Sequence, residues 1–473
     1  MRARKIAQGN FGVWMNRPAE AVSWAARSPC AALLLFACFA CGDGKSTEPG
    51  SVGGGGTQST AGASGSGTTA GAGGSGTSAG AGGTEAGAGG GGSGGDATAQ
   101  AWLPSWATTI QSTEPNNLPP ALNDNTLRQF VWPTLSGSQI RIQLSNEKGS
   151  TPVDIQKVHI AKALTQADPG NSAGAIDPAT DVAFTFSGAP NVSIPAGQTV
   201  WSDPLAFELK EIELTAISMQ FGASVPPEIT GHPGARTTSY IATGDVVAQQ
   251  SVTGETRDRW YFINAIETMA REDAFAIAVL GDSITDGYGV LNTFGRWTDA
   301  LTRAIQNDPM LAETRSVLNF GMGANNLTVS GQYQDSGVVR FSRDVVPRDK
   351  IKWLIVLEGT NDIIYSGVQA PAIIAAYQQI IQAAHAEGIL VYGSPITPTN
   401  QGDAAIRASV NEWVRTSGEF DRVIDFAATI GDPNDPNAIL PMYNNDGLHP
   451  NLAGYEAMGN AVDRSLFYQT LGN

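Results

Sequence analysis

The chain has 473 residues, 41% of them hydrophobic, enough for two or three domains with cores of their own. Its formal net charge is −16; residues 1–41 contribute +4 (Arg2, Arg4, Lys5, Arg17 and Arg27 against Glu20), so the remainder carries −20. A chain this acidic has no basic stripe to displace counterions from a nucleic acid, which excludes that partner and favours neutral substrates. All three cysteines, Cys30, Cys38 and Cys41, fall in the first 41 residues, so the rest of the chain has neither a thiol nucleophile nor a cysteine zinc site.

Residues 1–41 read as an export leader: a basic start, the apolar run "AALLLFACFAC", too short to span a bilayer, and small residues at its end. The basic stretch is long, and Met15 is an alternative start. A Cys directly after an apolar run and a small residue resembles a bacterial lipobox, with Cys41 (after Ala40) or Cys38 (after Ala37) as the lipidated residue. The expectation is an exported protein held at a membrane by a lipid anchor in the periplasm or at the cell surface; cleavage with full release is the alternative. Residues 42–100 are almost entirely Gly, Ser, Ala and Thr, a composition that cannot bury enough apolar surface to offset its ordering entropy, so they read as a disordered tether. Gly76, Ser78 and Gly80 in the tether match G-x-S-x-G, but that motif needs a strand before it and a helix after it.

Residues 101–255 read as strands. "TLRQFVW", "QIRIQLSN", "VDIQKVHIAKA", "DVAFTFSG", "PLAFELK", "LTAISMQFG" and "TTSYIATGD" are short runs, many of them alternating, between Gly, Pro, Asn and Asp turns. They predict an all-β sandwich of jelly-roll type. Its Trp102, Trp106, Trp132 and Trp201 either stack on sugar rings or fill the core and the seam between domains, the commoner fate of such rings.

Residues 256–473 change rhythm. "AFAIAVL", "RSVLNF", "KWLIVLE", "ILVYGS" and "RVIDF" are apolar strands, separated by helical patterns. Trp297, Leu301 and Ile305 share one helical face. Pro371 opens a helix that Gly388 closes, Asp403 caps another ended by Gly418, and "NLAGYEAMGNAVDRSLF" is the terminal helix. Continuous apolar strands alternating with amphipathic helices predict an α/β domain whose parallel sheet is covered on both faces.

In such a sheet the working residues collect at the carboxyl ends of the strands. The first strand runs into Ser283, the second into "NFGMGANN", the third into "EGTND", and "NNDGLHP" precedes the last helix. Each has a plain structural reading: Ser283 as a helix cap, Asn361 and Asp362 as an Asx turn, the glycines as aids to close packing. Together they bring Ser283, glycine-rich amides, Asn361 and the pair Asp446/His449 to one sheet edge.

The blocks "GDSITDG", the Gly-rich turn after "VLN", "GTND" and "DGLHP", in that order over residues 275–465, resemble the SGNH or GDSL hydrolases. "SWAT", "IRIQLSN" and "GHPGARTTSYIATGD" further resemble the subgroup of secreted two-domain acyl esterases of arylesterase and acetylxylan-esterase type. The resemblance implies a three-layer, flavodoxin-like α/β/α domain and a carboxylic ester as substrate, acetylated polysaccharide included. It implies Ser283 as nucleophile, His449 as base and Asp446 as the residue orienting it. It also implies an oxyanion hole from the amide of Ser283, an amide of the turn and the side chain of Asn361. The position where the family has Gly is Ala324 here, with Gly323 just before it; an amide survives either way, but a positive φ there would strain Ala.

The other histidines rank lower: His159 lies mid-strand, His232 in a turn that could line a cleft, and His385 on a surface helix. Neither cofactor nor metal is implied, since no HExxH, His cluster, Walker loop or GxGxxG after a strand occurs. Against the esterase stand a non-catalytic, glycan-binding surface lipoprotein and, more weakly, a phosphodiesterase, which the lack of basic residues in the four blocks disfavours.

Overall fold

The computed structural model describes residues 100–166 and 174–468. The leader, nearly all of the tether, Cys30, Cys38, Cys41 and the Gly76/Ser78/Gly80 motif lie outside the described residues.

Two larger antiparallel sheets and a small one, in which Thr230–His232 lies between Trp260–Tyr261 and Gln111–Ser112, make up the first half. In one of the larger two, Ile263–Arg271 lies between Gln100–Ala107 and Gly137–Ser145, with Thr199–Trp201 and Leu205–Leu209 also paired to Gly137–Ser145. In the other the order is Glu255–Arg257, Ser239–Ala242, Thr126–Val131, Thr215–Phe221, Val153–Lys162, Val182–Ala183. Alternate residues of both, among them Ile140, Ile142, Leu144, Ile155, Val158, Ile217 and Met219, share one buried cluster, as period-two side-chain alternation requires. The alternation skips between Ile155 and Val158, both buried, where the pairing register with Thr215–Phe221 shifts.

The changeover between regions falls between Arg271 and Phe275, not at 255/256. Ile263–Arg271 sits inside the first antiparallel sheet, and most of its residues are buried on both faces, so it lacks the alternation that marks a half-exposed strand. Of the four tryptophans, Trp132 stacks on Phe294 at 4.1 Å and Trp106 meets Trp260 edge-on at 4.9 Å. Trp102 and Trp201 hold the Arg141 guanidinium between them, 4.7 and 4.5 Å from the ring centres.

The second half is an α/β domain with a five-stranded parallel sheet ordered Arg315–Gly321, Phe275–Gly281, Ile351–Leu357, Leu390–Gly393, Arg422–Val423. In chain order that is 2-1-3-4-5, which reverses at the first strand and opens a crevice beyond its carboxyl end. Ala276, Ala278 and Leu280 pack on Ile373, Tyr377 and Ile380 of helix Ala370–Ala386. Ile277 and Val279 pack on Trp297, Leu301 and Ile305 of helix Trp297–Gln306 and on Tyr455 and Met458 of helix Leu452–Ala461. Asp403 caps helix Ala404–Thr416 by accepting from the amides of Ala405 and Ile406, which contributes about 1 kcal/mol. The terminal helix ends at Ala461, short of the expected span, because Val462 is extended and Asp463 caps a separate turn at Arg464–Phe467.

Direct bonds tie the two halves together. Arg343 donates to the carbonyl of Ile110 at 2.9 Å, Arg348 to Oε1 of Gln143 at 2.6 Å, and Gln306 to the carbonyl of Thr134 at 2.8 Å.

Candidate active site

The first parallel strand ends at Gly281, and one turn of helix, Ser283–Asp286, follows. Its N-cap is Asp282, whose Oδ1 accepts from the amide of Ile284 at 2.9 Å. The capping role is therefore taken by the neighbour, and the Ser283 hydroxyl is left for another partner. As the first helical residue, Ser283 also has an amide with no carbonyl one turn back to bond. The turn can approach the second strand closely only because residue 321 is glycine: a Cβ there would stand 2.3 Å from the amide nitrogen of Asp286. Asn319 fastens the arrangement, donating to the carbonyl of Thr285 and to Oγ1 of Thr298, both at 2.8 Å.

Ser283 Oγ lies 2.8 Å from Nε2 of His449, and Nδ1 of His449 lies 2.9 Å from Oδ2 of Asp446. The carboxylate can only accept, so the ring proton sits on Nδ1 and Nε2 accepts from the serine hydroxyl. Asp446 Oδ1 takes the amides of Leu448 and His449 at 3.1 and 2.8 Å, and these close the loop into a fixed hook. Burial alone would raise the Asp446 carboxyl; the bonds from the backbone and ring of His449 and from Leu448 outweigh it and hold the group below the usual carboxylate range. His449 is buried, whereas Ser283 is half-buried.

Beside them runs the turn Met322–Asn325, closed by the Asn325 amide on the carbonyl of Met322 at 3.3 Å. Ala324, its third residue, has φ +58°. That is the left-handed region, where a Cβ costs about 1–2 kcal/mol, so the strain foreseen for Ala at this position is present. Gly323 does not have a positive φ; its carbonyl accepts from Gln334 Nε2 at 3.3 Å. Asn361, in the short helix Thr360–Ile364 after the third strand, is buried and donates through Nδ2 to the carbonyl of Asn325 at 2.8 Å. The other proton of that amide remains for another acceptor.

Beneath the site, the fully buried Arg340 joins the strand ends. It donates to the carbonyls of Phe320 at 2.6 Å and Gly281 at 3.0 Å, to Oδ1 of Asn325 at 3.0 Å and to Oε1 of Glu358 at 2.7 Å. Burial pushes the Glu358 carboxyl well up, and the neighbouring charges of Asp282 and Asp362 add to the shift against the pull of Arg340. Asp282 is raised as well, again by burial first.

His159 pairs with Asp181 and His385 with Asp421, both at 2.8 Å. His232 is not a turn residue: it ends the short strand Thr230–His232, is buried, and faces Oδ1 of Asp286 at 3.0 Å. The sequence alone does not single out Asp286, Arg236, Tyr288 or Arg340. Asp286 sits inside "GDSITDG" and Arg236 inside "GHPGAR", so the one available signal was that both stretches are rich in glycine and charge. Among the described residues no group of His, Cys, Asp and Glu could hold a metal ion, and no helix is long and apolar enough to cross a membrane.

These blocks stand at the carboxyl edge of the parallel sheet. Residues 279–457 match the GDSL-like lipase/acylhydrolase family, which supports an ester hydrolase. No curated protein matches the chain. Among solved structures, a member of the lipolytic G-D-S-L family from Veillonella parvula is similar at 22% identity, covering 40% of this chain and 96% of its own, with a TM-score of 0.33. The aryl esterase of M. smegmatis is 16% identical, with 40% and 96% covered and a TM-score of 0.32. A GDSL-like lipase from Bacteroides thetaiotaomicron is 16% identical, with 41% and 87% covered and a TM-score of 0.31.

Proposed function

We propose that this ester hydrolase works through an acyl-enzyme formed on Ser283. The observation that carries the reading is the continuous relay from Ser283 Oγ to His449 Nε2 at 2.8 Å and from His449 Nδ1 to Asp446 Oδ2 at 2.9 Å. A serine hydroxyl attacks an ester carbonyl only if a base takes its proton as the new bond forms. His449 accepts that proton; Asp446 keeps the ring in the required tautomer and stabilises the imidazolium. The proton then goes to the departing alkoxide, the alcohol leaves, and water, deprotonated by the same ring, attacks the acyl-enzyme and releases the acid.

The tetrahedral intermediates carry a negative oxygen. The donors for it are the amide of Ser283, an amide of the turn at Gly323 or Ala324, and the Asn361 side chain, each contributing about 3–4 kcal/mol in the transition state. The substrate is a carboxylic ester with a neutral alcohol part; acetyl groups on a polysaccharide are the first candidates, a choice that rests on the acidity of the chain and on the subgroup resembled. The same reading makes the protein an exported one, tethered through Cys41 or Cys38 and residues 42–100, which is supported by the leader composition.

The test is Ser283→Ala, with folding checked by circular dichroism and turnover of a nitrophenyl acetate measured. Loss of turnover and of labelling by a fluorophosphonate is expected; undiminished turnover refutes the mechanism. Release of acetate from acetylated xylan by the wild type tests the substrate class, and fractionation of expressing cells tests the anchor.

A further inference from the structure

We propose that Arg236, carried by the β-rich region, is a positioning residue for Ser283 and His449, acting through Asp286 and Tyr288. The inference rests on the serine-hydrolase reading above.

A single helical turn cannot hold its own geometry in water, since nucleation is unfavourable at that length. The position of Ser283 therefore depends on what grips the other end of Ser283–Asp286. That end is Asp286, buried, whose Oδ2 accepts from Arg236 Nη2 at 2.6 Å and whose Oδ1 faces His232 Nε2 at 3.0 Å. Its carbonyl accepts from Arg296 Nε at 2.9 Å. His232 is itself fixed, with Nδ1 3.1 Å from the carbonyl of Thr109 and its ring stacked 5.6 Å from Trp260. The loop presses so closely that a Cβ on Gly234 would stand 1.9 Å from Asp286 Oδ2.

The same guanidinium reaches the other reacting group. It lies 5.7 Å from the ring centre of Tyr288, and that ring stacks on His449 with centroids 4.2 Å apart and planes at 28°. Tyr288 is 45% exposed, so its ring does little for the core, yet its backbone is pinned: its amide donates to the carbonyl of Ser283 at 3.0 Å, and the Tyr455 hydroxyl donates to its carbonyl at 3.1 Å. One side chain from the β-rich region thus touches both the turn that carries the nucleophile and the aromatic plate that lies on the base. Arg236 also has φ +54°, a conformation that persists in a bulky residue only where its surroundings impose it.

The experiment compares Arg236→Ala, Arg236→Lys, Tyr288→Leu and Tyr288→Phe with the wild type and with Ser283→Ala, measuring kcat and KM separately on a nitrophenyl acetate, and melting temperature. Arg236→Ala and Tyr288→Leu are expected to lower kcat about 10- to 100-fold, the scale of a small misplacement of reacting groups, while KM moves less than about threefold. Tyr288→Phe recovers most of what Tyr288→Leu loses, because the ring face makes the stack. Arg236→Lys recovers only part, because lysine lacks the planar fork. Wild-type kcat in both Arg236→Ala and Tyr288→Leu, or losses confined to KM or to melting temperature, overturns the proposal. Should Arg236→Ala fail to fold, Arg236→Lys decides beside Tyr288→Leu, and wild-type kcat in both overturns the proposal. An active Ser283→Ala would instead sink the serine reading; an inactive one beside two fully active positioning variants leaves that reading standing and removes this one.

Discussion

Asp446 Oδ2 stands 2.9 Å from Nδ1 of His449, three residues along, while its Oδ1 accepts the His449 amide at 2.8 Å. One carboxylate thus fixes both the backbone and the ring of the residue that faces Ser283. Asp446→Asn keeps the shape but offers the ring an amide that can donate, which favours the wrong tautomer. A fall in kcat of about 10²- to 10⁴-fold is expected, read from steady-state kinetics at neutral pH. A loss under threefold would mean that Asp446 does not orient the base.

Acid stability should be set in part by Asp286. Burial alone would raise this carboxyl, but Arg236 and His232 outweigh it and bring the group down to about 2 from the ordinary 3.8. A carboxyl held lower in the folded state stabilises the fold at every pH above its unfolded value, and that contribution disappears as pH falls from about 4 towards 2. Its size is about 2 kcal/mol, taken as an order of magnitude. Urea unfolding at pH 6 and pH 3 measures it: the wild type should lose more stability over that interval than Asp286→Asn, and equal losses would contradict the assignment.

The strained turn gives a gain instead of a loss. Ala324 at φ +58° carries a Cβ that glycine would lack. Ala324→Gly removes about 1 kcal/mol of strain, partly offset by about 0.4–1 kcal/mol of extra freedom in the unfolded chain. The melting temperature should stay level or rise slightly. A fall of several degrees would show that the methyl group makes contacts worth more than the strain.

Arg340 should be the least replaceable residue under the site. Its partners are the carbonyls of Gly281 and Phe320, Asn325 Oδ1 and Glu358, and both Arg340 and Glu358 are fully buried. Arg340→Met leaves those acceptors without a donor and should cost about 3–5 kcal/mol, measured by denaturant unfolding. Because Glu358 already lies well above the ordinary carboxylate range, its neutral form should recover part of the loss, so Arg340→Met/Glu358→Gln should be more stable than Arg340→Met alone. An equally unstable double variant would argue that Glu358 is not the group left stranded.

Much of this protein could be read locally. Four apolar runs stood out as parallel strands because a strand covered on both faces needs no polar residue, whereas "RVIDF" pairs only over Arg422–Val423, both exposed. Asp403 and Pro371 announced helix starts because capping and φ restriction act within four residues. The loops at the strand ends stood out because polar residues there have no packing reason to occur together. Asp446 and His449 were legible as a pair because they lie only three positions apart.

What the sequence left open depended on contacts between segments far apart in the chain. Ile263–Arg271 was not legible as a strand, since burial on both faces by two different regions erased its alternation. Arg236 and Asp286 are 50 residues apart, and Arg340 and Gly281 are 59 apart. Hydrophobic periodicity and capping are short-range, so they determined the strands, the helix starts and the polar loops. Which buried charges meet, and which loop of the β-rich region grips the turn after Ser283, was decided only when both sheets closed around their cores, because an ion pair leaves no trace in sequence until burial removes its alternative partner, water.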